Sequence, residues 1–159
     1  MNLYTILQNM TDISIDNTKY VAPWRQTKYI CFSSLFFMAL SLYGYSKKQY
    51  LLANVALATS LCSVNFWRDA NYSYRRTADV IMAKCSFVIY LMHGVKYVTW
   101  KPFVISGYSS LGCLLYCYYM SNKHGNSEKW WKYHMMFHFF ISYAQWITIK
   151  SMEYSLHTL

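Results

Sequence analysis

The stretch QYLLANVALATSLCSVNFW, residues 49–67, runs nineteen positions without an Asp, Glu, Lys or Arg. A hydrocarbon core of about 30 Å takes roughly 20 helical residues to cross, so this segment has the length and the composition of a membrane span. Three more charge-free runs of similar length flank it: Tyr29 to Ser46, Pro102 to Asn122 and Tyr133 to Ile149. A fifth, from about Thr77 to Val98, is interrupted by Asp79, Lys84, His93 and Lys96. Part of its circumference must face protein, because a charge facing lipid at mid-depth costs several kcal/mol. The pattern predicts an all-α, polytopic membrane bundle of about five transmembrane helices. An interfacial N-terminal segment covers 1–28, the bundle 29–150 and a short tail 151–159.

Composition agrees. A soluble domain carries roughly a quarter charged residues, whereas this chain of 159 residues has 13% charged, 55% hydrophobic and 20% aromatic residues. The mean hydropathy is only +0.09, because hydropathy scales treat Tyr as nearly polar and there are 17 tyrosines. At a membrane interface Tyr and Trp are favourable, the ring facing hydrocarbon and the hydroxyl or indole N–H reaching water. The net charge of +9 collects at the ends of apolar runs, where Lys and Arg anchor helices beside anionic headgroups. No zinc-finger spacing or RNA-binding aromatic signature accompanies it, so no nucleic-acid partner is expected. The five cysteines, Cys31, Cys62, Cys85, Cys113 and Cys117, make no Cys-x-x-Cys pair and fall inside apolar runs; they read as small buried hydrophobes.

The connections are short: Lys47-Lys48, RDANYSYRR (68–76), a turn around Lys101-Pro102, and KHGNSEK (123–129). Such loops join antiparallel neighbours. The first twenty residues have no basic region ahead of an apolar stretch, so no signal peptide is expected there. Five spans place the termini on opposite sides. Nine basic residues then lie on the N-terminal side (Lys19, Arg25, Lys28, Arg68, Arg75, Arg76, Lys123, Lys129, Lys132) against five on the other (Lys47, Lys48, Lys96, Lys101, Lys150). By the positive-inside rule the N-terminus is cytoplasmic.

The informative residues are the polar ones inside spans. On the third, Asp79, Ser86, Tyr90, His93 and Tyr97 fall within about 40° of one meridian. On the fifth, His134, His138, Ser142 and Gln145 repeat the device, and on the second Ser63 shares a face with Trp67. Span two ends where spans three and five begin, so Ser63, Asp79, His134 and His138 can meet at one depth, with His93 four turns away and outside that group. Two histidines at i and i+4 point the same way and can ligate one metal, with a further ligand completing a zinc site that activates water. The same imidazoles can equally serve as polar glue between helices, and Asp79 can equally pair with Arg75 and Arg76. Lys84, about 140° round from Asp79, reads as snorkelling or paired with a tyrosine.

The order Ser63-x-x-x-Trp67, Asp79, His134-x-x-x-His138 resembles the signature of the alkaline ceramidase and adiponectin-receptor superfamily of membrane hydrolases. The resemblance implies His134 and His138 as zinc ligands and Ser63 and Asp79 as the pair that positions water and substrate. Here Trp67 stands where that family has its first histidine ligand, and the family has seven spans. A likeness covering SVNFWRDANYSYRRTADVIMAK (63–84) and WWKYHMMFHFF (130–140) is to small multi-span membrane proteins of large DNA viruses. It implies residence in a viral or host-derived internal membrane and assigns no known activity.

Two functions follow as expectations. One is a structural or interaction protein without a cofactor, in contact with the bilayer and with other membrane or capsid proteins. The other is a divergent zinc-dependent hydrolase of a lipid amide or ester. A proton path along Asp79 and His93 is a third reading, without the ring of like residues a pore requires.

Overall fold

Ahead of the first helix the chain forms a short strand, β1 (Asp16–Tyr20), antiparallel to β2 (Asn71–Tyr72) with an irregular register that sets Asp16 opposite Tyr72 and Tyr20 opposite Asn71. The structure, a computed structural model, describes residues 16–125 and 127–157. The interfacial and signal-peptide readings of 1–15, and the last two residues of the tail, lie outside the described residues. The ribbon continues as Val21 N–H donating to Ala70 C=O at 2.8 Å. It gives backbone groups of the entering chain partners in the loop it crosses, which no helix there could supply.

Six helices follow among the described residues: α1 (Trp24–Ser33), α2 (Leu35–Ser46), α3 (Tyr50–Trp67), α4 (Tyr74–Tyr97), α5 (Lys101–Lys123) and α6 (Trp130–His157). Among the described residues the regular structure is therefore all-helical apart from the two-stranded ribbon. Among the described residues, three units are long and apolar enough to cross a membrane: the joined α1–α2 stretch Trp24–Ser46, then α3, then α4. α5 and α6 have 23 and 28 residues, ample length, but their Tyr, Ser, Gly and His content lowers their hydropathy.

Local chemistry explains the ends. Pro23 precedes α1, and its carbonyl accepts the N–H of Gln26 at 2.9 Å and of Thr27 at 3.2 Å, so the helix starts at Trp24, ahead of the charge-free run. Helix α2 closes with Lys48 in the left-handed region, φ 58°, where Gln49 N–H reaches back to Gly44 C=O at 2.9 Å; this is how a helix C-terminus caps its own carbonyls. The turn folds α2 onto α3 so closely that a Cβ on Gly44 would lie 3.0 Å from Ala53 Cβ. Helix α6 runs on to His157, past the end of the charge-free run at Ile149.

Helix α6 is the hub, packing on α1, α2, α4 and α5, while α3 packs on α1, α2 and α4. Three apolar clusters stack along the bundle. Ile30, Phe66, Trp67 and Trp130 form one at the N-terminal side, Phe37, Leu114 and Ile141 a second, and Leu40, Leu52, Val55, Tyr90 and Ile149 a third. The polar site lies between the first cluster and the other two.

Candidate functional site: a buried serine and histidine layer

The junction of α1 and α2 organises the site. The Ile30 carbonyl receives three donors: Ser33 Oγ at 2.8 Å, Ser34 Oγ at 2.9 Å and Ser34 N–H at 3.0 Å. Hydroxyls that turn back on the preceding turn bend helices, and the helix breaks at this point. Each serine then carries a second contact to a different helix. Ser33 Oγ lies 2.9 Å from His138 Nδ1 on α6, and Ser34 Oγ lies 2.9 Å from Ser63 Oγ on α3. Ser60 Oγ donates to the Ser34 carbonyl at 3.0 Å. Ser33, Ser34, Ser60, Ser63 and His138 are all buried.

Ser33 Oγ thus lies between the Ile30 carbonyl and His138 Nδ1, and the imidazole tautomer sets which partner of the Ser33–His138 bond donates. Asp79 on α4 stands beside Ser63, close enough to feel its hydroxyl. Three helices, α1, α3 and α6, thus meet in one hydrogen-bonded layer, with Asp79 of α4 at its edge.

The four residues singled out from sequence fall into two groups. Ser63 and Asp79 are neighbours across α3 and α4. His134 and His138 stand edge to face with ring centroids 5.0 Å apart. The first group reaches the second through the Ser33-Ser34 pair. His134 turns away from the serines of α1, with Nδ1 3.5 Å from Ser121 Oγ on α5. Arg75 is bonded to Asp69 and Arg76 lies over the Tyr72 ring at 4.7 Å. His93 hydrogen-bonds the Ile89 carbonyl of its own helix at 2.8 Å and stacks on Tyr97, outside the layer. Ser86 and Gln145, read separately from two faces, pair across α4 and α6 with Gln145 Nε2 donating to Ser86 Oγ at 3.0 Å.

Trp67 decides what the site can hold. Its ring centroid is 4.9 Å from that of His134 and 5.9 Å from that of Trp130, and its Nε1 is buried with no acceptor. An indole N–H is a donor only, so the corner nearest His134 offers a metal nothing. Among the described residues no three His, Cys, Asp or Glu side chains are grouped so as to hold a metal ion. Two imidazoles and a carboxylate would make the three protein ligands of a catalytic zinc, but here Asp79 is not grouped with His134 and His138.

Sequence reasoning missed Ser33, Ser34, Ser60 and Ser121. An adjacent serine pair inside a charge-free run was a signal, but Ser109-Ser110 is the same signal. There too both hydroxyls bond one carbonyl, that of Ser106, at 3.0 and 2.6 Å. Only packing distinguishes the pair that faces two other helices. Comparison of the chain with protein families, curated proteins and solved structures finds no match, so the role of this layer has to be argued from its own residues.

Proposed function

We propose that this chain is an integral membrane protein of structural or interaction type: a five-span bundle in an internal membrane of a virion or another large assembly. Its exposed faces contact lipid and other membrane or capsid proteins. The observation that carries the reading is Trp67 packed on His134 at 4.9 Å, where a metal hydrolase of the resembled kind needs a ligand. Ser33, Ser34, Ser60, Ser63 and His138 act as a hydrogen-bonded layer that sets the register of α1, α3 and α6, with Asp79 of α4 beside Ser63. A one-turn slip of any of them would leave buried polar groups unpaired. Large apolar side chains such as Phe32, Leu42 and Ile105 stand on the outside, as a lipid-facing surface requires. α5 and α6, at about 1.5 Å per residue, each exceed the thickness of the hydrocarbon core.

The test is metal content and lipid turnover of the purified protein beside its His134→Ala and His138→Ala variants. The expected result is no zinc and no hydrolysis of lipid amides or esters in any of the three, with lowered thermal stability in His138→Ala. Stoichiometric zinc that both substitutions remove, together with turnover, would establish the zinc-dependent hydrolase instead.

A further inference from the structure

Arg25, in the first turn of α1, is bonded to Glu128, two residues ahead of α6. The N-terminal ends of these two helices therefore stand side by side. Between them lies a cleft of about 380 Å³, lined by Arg25, Gln26 and Tyr29 from α1 and by Glu128, Lys129, Trp131 and Lys132 from the start of α6.

The lining offers donors and leaves no free carboxylate. Glu128 is its only acid, and it already accepts from Arg25. Gln26 Oε1 accepts the Trp130 indole N–H at 2.7 Å, which leaves the amide N–H groups of Gln26 as its remaining polar function. Lys129 and Lys132 are exposed, and neither pairs with a carboxylate among the described residues. Neither helix has an Asp or Glu in its first turn, so the positive ends of two helix dipoles add to the same field. The two rings are no cage for a quaternary ammonium, which needs open aromatic faces. Tyr29 and Trp131 stack on each other with centroids 4.5 Å apart, and each is also met by a lysine: Lys28 Nζ lies 5.0 Å from the Tyr29 ring and Lys132 Nζ 5.7 Å from that of Trp131. The cleft suits an anion that accepts several charge-assisted hydrogen bonds and brings no cation of its own.

The surroundings point to a lipid as the source of that anion. Tyr29 and Trp131 pair at the cleft, and Phe36 and Phe139, seven and eight residues further along, pair again edge to face at 6.1 Å. Phe32 between them is 68% exposed and Phe139 47%. An exposed aromatic seam thus leads from the cleft towards the middle of the bundle. Free phosphate has no use for such a seam, whereas acyl chains hanging from a phosphate would lie along it.

We propose that the cleft binds the phosphate of an anionic glycerophospholipid whose headgroup carries no ammonium, as in phosphatidic acid, with the acyl chains along Phe32, Phe36 and Phe139. The inference goes beyond the scaffold reading and rests only on its membrane residence, which resistance to extraction by alkaline carbonate checks separately.

The test uses the full chain in phosphatidylcholine vesicles containing phosphatidic acid with a photoactivatable acyl chain, beside equally modified phosphatidylcholine and phosphatidylserine. Phosphatidic acid is expected to label peptides of Trp24–Ser46 and of α6 several-fold more than either other lipid. Lys129→Gln combined with Lys132→Gln should lower that label several-fold. Lys48→Gln combined with Lys101→Gln, which removes the same charge at the opposite end of the bundle, should leave it unchanged. Glu128→Gln releases Arg25 and should raise it. Excess inorganic phosphate should not displace the lipid; if it does, the cleft is a site for free phosphate and the lipid proposal is overturned. Equal labelling by the three lipids, or an equal loss in both double variants, overturns it too, since diffuse surface charge gives that result. None of these outcomes touches the metal and turnover test of the scaffold reading.

Discussion

Ser33 Oγ bonds both the Ile30 carbonyl and His138 Nδ1, so a single hydroxyl couples the bend between α1 and α2 to the face of α6. Ser33→Ala removes the hydroxyl and leaves a buried imidazole nitrogen unpaired. The expected cost is about 1–3 kcal/mol, read as a lower thermal midpoint of the purified protein. Ser109→Ala, whose hydroxyl is exposed and bonds only its own helix, is the matched control and should be near neutral. At this scale the sequence was partly legible. Ser63, Asp79, His134 and His138 stood out because ionisable and polar groups inside apolar runs need partners. Ser33 and Ser34 did not, since a serine that bonds its own helix is common and only a neighbouring helix turns it into a link.

Among the elements, α2 is held at both its packing face and its end. Gly44 allows the backbone of Ala53 to approach, and even Ala there would place Cβ 3.0 Å from Ala53 Cβ and 3.2 Å from its Cα. Gly44→Val must push α3 away, at an expected cost of about 1–3 kcal/mol, measured by thermal unfolding. The far end is clasped by Glu153, which accepts from Lys47 at 2.6 Å and from Lys150 at 2.7 Å. The hydrogen bond from Lys150, then that from Lys47, holds its carboxyl at about 2, below the ordinary 4.5. A carboxyl lowered on folding stabilises fully above its unfolded value and loses that contribution as pH falls through the folded one. Thermal stability should therefore drop as pH is lowered from 4.5 towards about 2, and Glu153→Gln should flatten that part of the profile.

For the whole molecule, α6 at the centre and the polar layer between apolar clusters imply that register is shared by helices distant in sequence. The proposed five-span topology places the termini on opposite faces, with the N-terminus on the basic, cytoplasmic side. Tags at the two ends are expected to differ in accessibility to an impermeant reagent in intact vesicles, and equal accessibility of both would require an even number of crossings. The apolarity of α4 is instructive at this scale. It carries Asp79, Lys84 and Lys96 and looked the weakest span, yet it ranks with α1–α2 and α3 as apolar enough to cross, and Ser86 and Tyr90 are its buried residues.

The sequence by itself determined where the long helical stretches fall, because charge-free length acts residue by residue, without reference to partners; the start at Trp24, the break between Ser33 and Leu35 and the run on to His157 lay outside that pattern. It also determined that polar groups of three spans share a depth, since that follows from helix rise and antiparallel order. Only the tertiary structure decided which faces meet. It put α1 and α2 against α6 through Ser33, paired Ser86 with Gln145, set Trp67 against His134, and brought the starts of α1 and α6 side by side. Rotation about a helix axis and choice of neighbour depend on the packing of all the helices at once, and no local pattern encodes that sum.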